Sequence, residues 1–593
     1  MANVNTESKT GPTPADWVEL ITQAERYKVE IGHSQDWANY RDYYRGYFPD
    51  YAKGYPSLNY NITFSLARTT IPKVYFRNPY INVSPRVIGR QLPDPGAEIT
   101  ARIVEGIDNW LIQEMNIKKH AKTVVLDTWL CGRGIFKLGF SSQYGYDPQE
   151  DMFGFSDDDG EDAVSDKKGN RIEYDSNISG NMPWVRRVDP DFFFVPYGSR
   201  DLEDMPWVDH VVIRPTSDVR KDRKYKGVKD LTGTHLDRIL LDSNKKAVLD
   251  QMQKRVELTE IHEIRDKKSK KLYAIISKEE SRRYIRNVDD ALQIEGLPFV
   301  DLCFNEDPEF YWCPSDARII EPQQLEINEV RTQAMYHRRL ALMKFLVRKD
   351  ALDKDGMNSI LDGGIGMITE VEGGVGEDII RILQPHIPPD LVQWAEVIRG
   401  DARELMGTGR NQAGELSGGR KTATEIATTQ AGHESRMDEK RDAMADAITK
   451  IMRKVNQMIF SFWSVDRVVK VIGFDASVYW VKYNKEAIAG EYNLNIDIES
   501  LAPRTKNVER QELISLIQAL ANNPRANIDH LLRQLLMGFD YIDATKVLPE
   551  APETAGGQPM EAKDFVQQQN NLIRNPQEMG QRVQKNIGGL GNV

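Results

Sequence analysis

The segment 414–422, Gly-Glu-Leu-Ser-Gly-Gly-Arg-Lys-Thr, carries the residue types of a phosphate-binding loop. In such a loop, backbone N–H groups surround the phosphate, and a lysine directly after the second glycine reaches it. Here Arg420 precedes Lys421, so the lysine comes one residue late when Gly414 is taken as the first glycine. The preceding segment is also helical in pattern, whereas a phosphate-binding loop follows a strand. We therefore interpret the segment as a basic-ended loop that leads into a helix.

Other patterns that could support catalysis or metal binding are incomplete. The nine histidines include no HExxH spacing, and His262-Glu263 lacks a second ligand four residues on. The acidic run at 157–162 has calcium-type ligands, but Gly160 comes too early for an EF-hand and no glutamate closes the loop. Neither a Gly-x-Ser-x-Gly elbow nor a kinase or dinucleotide signature occurs. We predict no catalytic residue, no metal site, no cofactor and no enzymatic activity.

Composition limits the partners of the chain. There are 78 Lys and Arg residues against 89 Asp and Glu residues, a net charge of −11. Tight binding to nucleic acid normally needs a basic excess, so only a loose, sliding contact with DNA is expected. The odd set Cys131, Cys303 and Cys313 disfavours a disulfide framework and favours a reducing assembly compartment. Residues 1–13 lack the apolar core of a signal peptide, and no apolar run predicts a transmembrane helix.

The first half of the sequence predicts helices followed by strands. Thr13 and Pro14 form a helix start, and an apolar face predicts an amphipathic helix from there to about residue 47. The residues of that face are Trp17, Ile21, Ala24 and Tyr27. The aromatic and basic run 37–45 fits a helix with its rings turned inward better than a nucleic-acid stacking surface. A second helix is predicted at 97–130, and strands at 135–140, 188–213, 257–265, 272–276 and 298–305. Without a regular βαβ alternation, the fold class is α+β and helix-rich.

The second half is organised around long helices. One helical tract is predicted at 321–347, then a glycine-rich segment at 348–387 with β-prone pieces, and a new helix from Pro388 to about residue 406. From Thr422 a helix of about 40 residues would span roughly 60 Å. Its apolar seam consists of Met444, Ile448, Ile451, Val455, Met458 and Phe462. Such a helix either crosses a large subunit or contacts neighbouring subunits. Strands are expected at 468–472, 478–482 and 492–498, and helices at 508–521, 528–537 and 562–572.

This order of elements from Asp316 to Trp463 resembles the core of tailed-bacteriophage portal proteins. The segment 410–426, Arg-Asn-Gln-Ala-Gly-Glu-Leu-Ser-Gly-Gly-Arg-Lys-Thr-Ala-Thr-Glu-Ile, is similar to the loop and long-helix start of portals. Upstream, Gly132-Arg-Gly and the run 189–196, Asp-Pro-Asp-Phe-Phe-Phe-Val-Pro, resemble the wing of short-tailed phage portals. The motif-level match is concentrated in 316–465, and the architecture covers most of 15–545.

The resemblance implies a portal-type subunit with wing, stem, clip and crown regions built around one very long helix. The implied division is a flexible tail at 1–13, an α+β wing at 14–315, a first stem helix at 316–347, a clip at 348–387, a second stem helix at 388–407, a tunnel loop at 408–421, the long helix at 422–465, wing strands at 466–502, crown helices at 503–550 and a low-complexity C-terminal tail at 551–593. Expected DNA contacts in the tunnel loop are Arg410, Asn411, Gln412, Arg420 and Lys421. Stem candidates are Arg331, Arg338, Arg339 and Lys344, and clip candidates are Gly363, Gly364, Gly373 and Gly374.

The function implied by the resemblance is a ring at one capsid vertex, a dodecamer, through which double-stranded DNA is packaged and ejected. The implied partners are other copies of the chain, the major capsid protein, the terminase large subunit, tail adaptor proteins and the DNA in transit, with no membrane. The expected location is the virion, and the host cytoplasm during assembly. Two other hypotheses are a scaffold or adaptor that acts through its long helix without DNA, and a nucleotide-dependent enzyme that uses the 414–422 loop.

Overall fold

The structure is a computed structural model of the chain. Apart from isolated positions, it describes residues 12–49, 57–86, 95–140, 182–222, 224–233, 257–276, 283–290, 294–340, 344–347, 380–383, 390–407, 423–463, 467–472, 478–483, 492–496, 506–520 and 560–574. The chain divides into two compact units. Unit 1 comprises Met1–Ala38, Ala67–Asp316 and Thr422–Val593, and unit 2 comprises Asn39–Leu66 and Ala317–Lys421.

Helices and strands both contribute, which confirms the α+β class. The α-helices are α1 Pro14–Glu30, α2 Trp37–Arg45, α3 Ile62–Val74, α4 Pro95–Glu114, α5 Ile117–Cys131, α6 Thr216–Lys221, α7 Asp316–Leu340, α8 Asp390–Leu405, α9 Ala423–Phe462, α10 Lys506–Leu520 and α11 Ala562–Arg574. The strands are β1 Ile81–Pro85, β2 Arg133–Phe140, β3 Pro183–Val188, β4 Phe193–Phe194, β5 Trp207–Pro215, β6 Leu258–Asp266, β7 Lys271–Ile276, β8 Arg286–Asp289, β9 Phe299–Cys303, β10 Lys344–Val347, β11 Ile380–Leu383, β12 Arg467–Ile472, β13 Val478–Tyr483, β14 Tyr492–Ile496 and β15 Met560–Glu561.

Helix α1 begins where the sequence predicts, with Pro14 in its first turn. The Thr13 hydroxyl accepts a hydrogen bond from the Asp16 N–H at 3.3 Å, and the Asp16 carboxylate accepts one from the Thr13 N–H at 2.7 Å. This reciprocal cap satisfies two N–H groups that a helix start otherwise leaves without partners. The predicted apolar face, Trp17, Ile21, Ala24 and Tyr27, is buried as expected.

The predicted continuation of α1 to about residue 47 is wrong, because α1 ends at Glu30 and α2 begins at Trp37. At Gly32 the chain passes so close to its surroundings that a Cβ atom would lie 2.6 Å from the Lys28 carbonyl oxygen. His33 follows with a φ of +47°, which a right-handed helix does not allow. The predicted helix at 97–130 is likewise interrupted, since Asn116 has a φ of +51° between α4 and α5.

Two antiparallel sheets form much of unit 1. In the first, β2 lies between β3 and β9, with Ile135 opposite Val188 and Arg133 opposite Cys303. Every residue of β2 is buried, so this strand has no solvent face. The second sheet has the order β4-β5-β6-β7-β8, and the apolar face of α1 joins its core. The strands predicted around 135–140, 257–265, 272–276 and 298–305 are thus confirmed.

Helix α9 lies in the core of unit 1. Five residues of its predicted seam, from Met444 to Met458, have no exposed surface, and Phe462 is half-buried. The helix packs against β9, β14 and β2, which all belong to the same unit. The interpretation of this seam as a contact between subunits is therefore wrong. The seam is satisfied within one chain, which corresponds to the other alternative, a helix that crosses a large subunit.

Distant parts of the sequence complete unit 1. Strand β1 pairs antiparallel with β14, with Ile81 opposite Ile496. Strand β15 pairs parallel with β13, with Val481 opposite Met560. Helix α11 packs on α4, and its Phe565 is buried. The helix predicted at 562–572 is thus present as α11, although the region around it was expected to be only a low-complexity tail.

In unit 2, α7 is shorter than predicted. The helical tract expected at 321–347 ends at Leu340, and β10 follows, paired antiparallel with β11. Lys344 lies opposite Leu383, and Val347 lies opposite Ile380. Phe345 and Val347 have high strand propensity. Their pairing partner β11 lies more than thirty residues further along the chain, so the periodicity of the segment around residue 345 could not reveal this strand. Helix α8 begins at Asp390, close to the predicted start at Pro388.

Candidate functional site

One stripe of α7 holds the chain segment 58–63 by hydrogen bonds. Gln324, Asn328 and Thr332 follow one another at four-residue spacing, so they lie on one face of the helix, and all three are buried. Their side-chain oxygens accept backbone N–H groups: Ile62 to Gln324 at 2.8 Å, Tyr60 to Asn328 at 2.8 Å and Leu58 to Thr332 at 3.0 Å. Because buried N–H groups need acceptors, this ladder fixes the segment on α7.

The ladder places Tyr60 beside two arginines of unit 2. The guanidinium of Arg331 on α7 lies 4.9 Å from the centre of the Tyr60 ring, and that of Arg399 on α8 lies 5.7 Å from it. Cations are attracted to the face of an aromatic ring, so Tyr60 helps to bring α7 and α8 together. Arg399 also forms an ion pair with Glu396, one turn earlier on α8. Within the part of the chain that the structure describes, the Nε atoms of both arginines are buried without a hydrogen-bond partner.

The predicted stem residues therefore have different environments. Arg331 is half-buried against Tyr60. Arg338 and Arg339 are exposed in the last turn of α7, where their positive charges interact favourably with the helix dipole. The Arg339 guanidinium lies 5.8 Å from the Tyr336 ring centre. Lys344 is not on the helix but begins strand β10. Among the stem candidates whose side chains the structure describes, Arg338 and Arg339 are the exposed ones.

Helix α8 has an exposed apolar stripe that the sequence analysis missed. Trp394, Val397 and Leu405 have 55%, 47% and 45% of their surfaces exposed. Their spacing puts them within about 80° around the helix axis. The adjacent side of α8, which includes Ile398 and Ala402, is buried. The periodicity of α8 could have identified the stripe, whereas Tyr60 gave no sequence signal because its contacts are non-local.

The remaining candidates lie outside the described residues. These are the tunnel-loop residues Arg410, Asn411, Gln412, Arg420 and Lys421, and the clip glycines Gly363, Gly364, Gly373 and Gly374.

Unit 1 contains two buried ionic groups on opposite faces of the β4-β5-β6-β7-β8 sheet. His262 lies 2.7 Å from the Asp209 carboxylate and 3.3 Å from Glu260. Burial alone would lower the pKa of His262, but these two carboxylates outweigh it and raise the pKa to about 10. On the other face of this sheet, Lys137 Nζ lies 3.0 Å from Glu263 and 3.0 Å from His210 Nδ1. Both groups have the residue types of acid–base catalysis, but their burial indicates a structural role.

Within the described ranges, no three His, Cys, Asp or Glu side chains are grouped so as to hold a metal ion. The helices of those ranges also include none that is both long and apolar enough to cross a membrane.

Comparison with protein families places these elements in context. Residues 112–571 match the family model described as Phage SU10 portal protein. The chain belongs to this portal family. The match begins near the end of α4 and ends within α11, so it includes residues of both units but not α1 to α3, β1 or the segment 58–63. No curated protein matches the sequence significantly.

Family membership confirms the resemblance to phage portal proteins, and the short-tailed type is consistent with it. This portal protein is accordingly a bacteriophage virion component of the head-to-tail connector, associated with genome packaging. Portal proteins are structural proteins rather than enzymes.

Proposed function

We propose that this portal protein forms a closed ring of twelve copies at one capsid vertex and conducts double-stranded DNA during packaging and ejection. The observation that carries the proposal is the family match over residues 112–571. The net charge of −11 supports a conduit in which the duplex is not held tightly, because phosphate contacts would be few.

Within this ring, α7 and α8 would be the stem helices, and the clip would begin at β10 rather than after residue 347. Helix α9 would be the long helix of the subunit. The scaffold hypothesis, which relied on the α9 seam as a partner surface, loses its main support because that seam is buried within unit 1.

The exposed stripe Trp394, Val397 and Leu405 would pack against a neighbouring copy. Its helix also exposes acidic residues, whereas α7 ends in exposed basic ones. The acidic residues are Glu396, Asp401 and Glu404, and the basic ones are Arg338 and Arg339. A contact between two different, complementary faces is heterologous, and its repetition closes into a ring when the rotation allows.

Imaging of the purified chain by negative-stain electron microscopy tests the ring. We expect rings with a central hole, and monomers or rods at every concentration would overturn the proposal. Trp394→Asp and Val397→Asp should each lower the ring fraction at least tenfold, since they place a charge in an apolar contact. Gly400→Asp is the matched control, because it adds the same charge to α8 where a Cβ meets nothing within 4 Å.

The partners follow from the same proposal. The clip would dock the terminase large subunit and later the tail adaptor proteins, and the wing would contact the major capsid protein. The tunnel loop at 408–421 would touch DNA through Arg410, Asn411, Gln412, Arg420 and Lys421.

Deletion of residues 409–419 tests the tunnel loop. Rings should remain intact, whereas DNA packaging or retention should fall. Genome-filled particles in normal numbers would contradict the loop assignment, while loss of rings would instead show a structural role. Calorimetry with ATP on the intact chain tests the nucleotide-binding hypothesis for 414–422, and we expect no binding.

A further inference from the structure

Cys303 and Cys313 are brought to the same place by the backbone. Cys303 ends β9 opposite Arg133 of β2. The carbonyl oxygen of Cys313 lies against Gly132, where a Cβ atom would come within 2.1 Å of it. Gly132 and Arg133, the residues at the junction of α5 and β2, thus each lie beside the backbone of one cysteine. Both cysteines are buried, with 7% and 4% of their surfaces exposed, and their thiols are in hydrogen-bond contact.

A buried cation lies beside this thiol pair. The Arg133 guanidinium is 4.2 Å from the centre of the Tyr311 ring, its Nε donates to the Tyr311 carbonyl at 2.5 Å, and it pairs with Asp301. Cys313 itself donates to the Tyr311 carbonyl at 3.3 Å when it is protonated. Positive charge near a cysteine favours its thiolate, which is the reactive form.

The two thiols differ in acidity. The hydrogen bond from Cys303 lowers the pKa of Cys313 to about 7, with burial opposing this and Arg133 adding to it. The pKa of Cys303 is raised, first because it donates to Cys313 and second because it is buried. The pair therefore has one sulfur suited to attack and one that holds its proton until a later step.

We propose that Cys303 and Cys313 form a reversible thiol–disulfide site that closes on exposure to a peroxide. The Cys313 thiolate attacks one oxygen of hydrogen peroxide, the O–O bond breaks, and a sulfenic acid and hydroxide form. Cys303 then loses its proton and attacks the Cys313 sulfur, and the S–O bond breaks. Counting the proton that Cys313 released earlier, two thiols and one peroxide give one disulfide and two waters. The peroxide accepts the two electrons.

The bond would join two segments of unit 1 that carry no direct covalent link. It ties the end of β9 to the chain three residues before Asp316, where α7 begins. A reducing cytoplasm keeps such pairs open, whereas oxidising surroundings allow them to close. The odd number of cysteines argued against disulfides in the sequence, but a single bridge between Cys303 and Cys313 leaves only Cys131 outside the pair.

The test treats the full chain with hydrogen peroxide under native conditions and maps its peptides without reduction. We expect one cross-link, between Cys303 and Cys313, that a thiol reductant reverses. Its rate of formation should fall as the pH is lowered, because the thiolate fraction falls. Cys303→Ser should stop at a sulfenic acid on Cys313, trapped by dimedone, and Cys313→Ser should give neither product.

Cys131→Ser is the control variant, because it keeps the pair and should cross-link at the rate of the unaltered chain. A bridge to Cys131 would overturn the proposal. The proposal would also be overturned if Cys303 and Cys313 stayed reduced both in peroxide and after refolding of the chain in a glutathione redox buffer. The refolding arm covers the case in which peroxide does not reach the buried sulfurs.

Discussion

Asp108 on α4 accepts a hydrogen bond from Nδ2 of Asn456 on α9 at 3.1 Å, and both side chains are buried. Among the described residues, Oδ1 of Asp108 and Oδ1 of Asn456 have no hydrogen-bond partner. A proton on Asp108 could be shared with the amide oxygen, which would give both groups a partner. Burial raises the pKa of Asp108 to about 8, the hydrogen bond from Asn456 opposes this, and Glu105 adds to the rise. Asp108 is therefore mainly protonated at neutral pH.

The first prediction concerns the stability of unit 1 against pH. The pKa of Asp108 is raised from 3.8 to about 8. Its contribution to the free energy of unfolding is therefore fully present below about pH 4 and is lost as pH rises through about 8. Glu105 on α4 and Tyr492 on β14 face the same carboxyl and are present in every variant. The free energy of unfolding of the unaltered chain should fall by a few kcal/mol between pH 5 and pH 9, and this fall should be absent in Asp108→Asn. Urea unfolding measures both. Equal pH slopes for both proteins would contradict a protonated Asp108.

A second prediction concerns Lys28, whose ammonium is buried. It donates to the carbonyl oxygens of Pro190, Asp191 and Phe193 at 2.5, 2.8 and 3.1 Å, and it lies 4.1 Å from the Phe194 ring centre. Lys28→Met should lower the free energy of unfolding by about 3 kcal/mol, because it removes these charged hydrogen bonds. Thermal unfolding measures the change.

Lys268→Met is the control for Lys28, because Lys268 is exposed and it is its backbone N–H that donates to the Asp266 carboxylate. It should leave the unfolding temperature unchanged. Equal effects of the two substitutions would mean that loss of charge, and not the carbonyl contacts, is responsible.

A third prediction concerns His262, which Asp209 and Glu260 hold in its charged form. The pKa of His262 is raised from 6.5 to about 10. Its contribution to the free energy of unfolding is therefore complete below about pH 6.5 and disappears as pH rises through about 10. His262→Gln should destabilise unit 1 by about 3 kcal/mol at pH 7, since Asp209 stays buried without its cation. The double variant Asp209→Asn, His262→Gln should recover part of this loss in urea unfolding. A double variant no more stable than His262→Gln would show that packing, not charge, explains the effect.

A fourth prediction concerns the ladder on α7. Gln324 accepts hydrogen bonds from Ile62 and Thr63, so Gln324→Ala leaves these donors buried. We expect a loss of about 2 kcal/mol and faster proteolysis near residues 58–63. Glu326→Ala, at an exposed position of the same helix, should change neither. Unchanged proteolysis of Gln324→Ala would argue against the ladder as the anchor of this segment.

Features with a local cause were predictable from the sequence. The start of α1 at Thr13 and Pro14 follows from capping chemistry within one turn. The apolar seam of α9 was identified from its periodicity, and it is buried. Its partner could not be deduced, because periodicity shows that a face is buried without showing what covers it.

Features with a distant cause were missed. The end of α7 at Leu340 depends on the pairing of β10 with β11, and Tyr60 reaches Arg331 and Arg399 only because a ladder far along the chain positions it. The helices end near Gly32 and Asn116 because of one close contact and one positive φ angle. Neither can be read from the apolar periodicity of the sequence. In the candidate site, the sequence did not show which of the stem arginines are exposed, since Arg331 is half-buried through its contact with Tyr60 whereas Arg338 and Arg339 are exposed.

The pairing of β1 with β14 and of β13 with β15 has a consequence for synthesis of the chain. A ribosome completes β1 some four hundred residues before its partner strand exists. Until β14 and β15 emerge, the nascent polypeptide carries strand edges without their partners, which are prone to aggregation. Unit 2, whose second segment is translated between these partners, has all of its residues available first. We therefore expect unit 2 to be structured on the ribosome before unit 1 is complete.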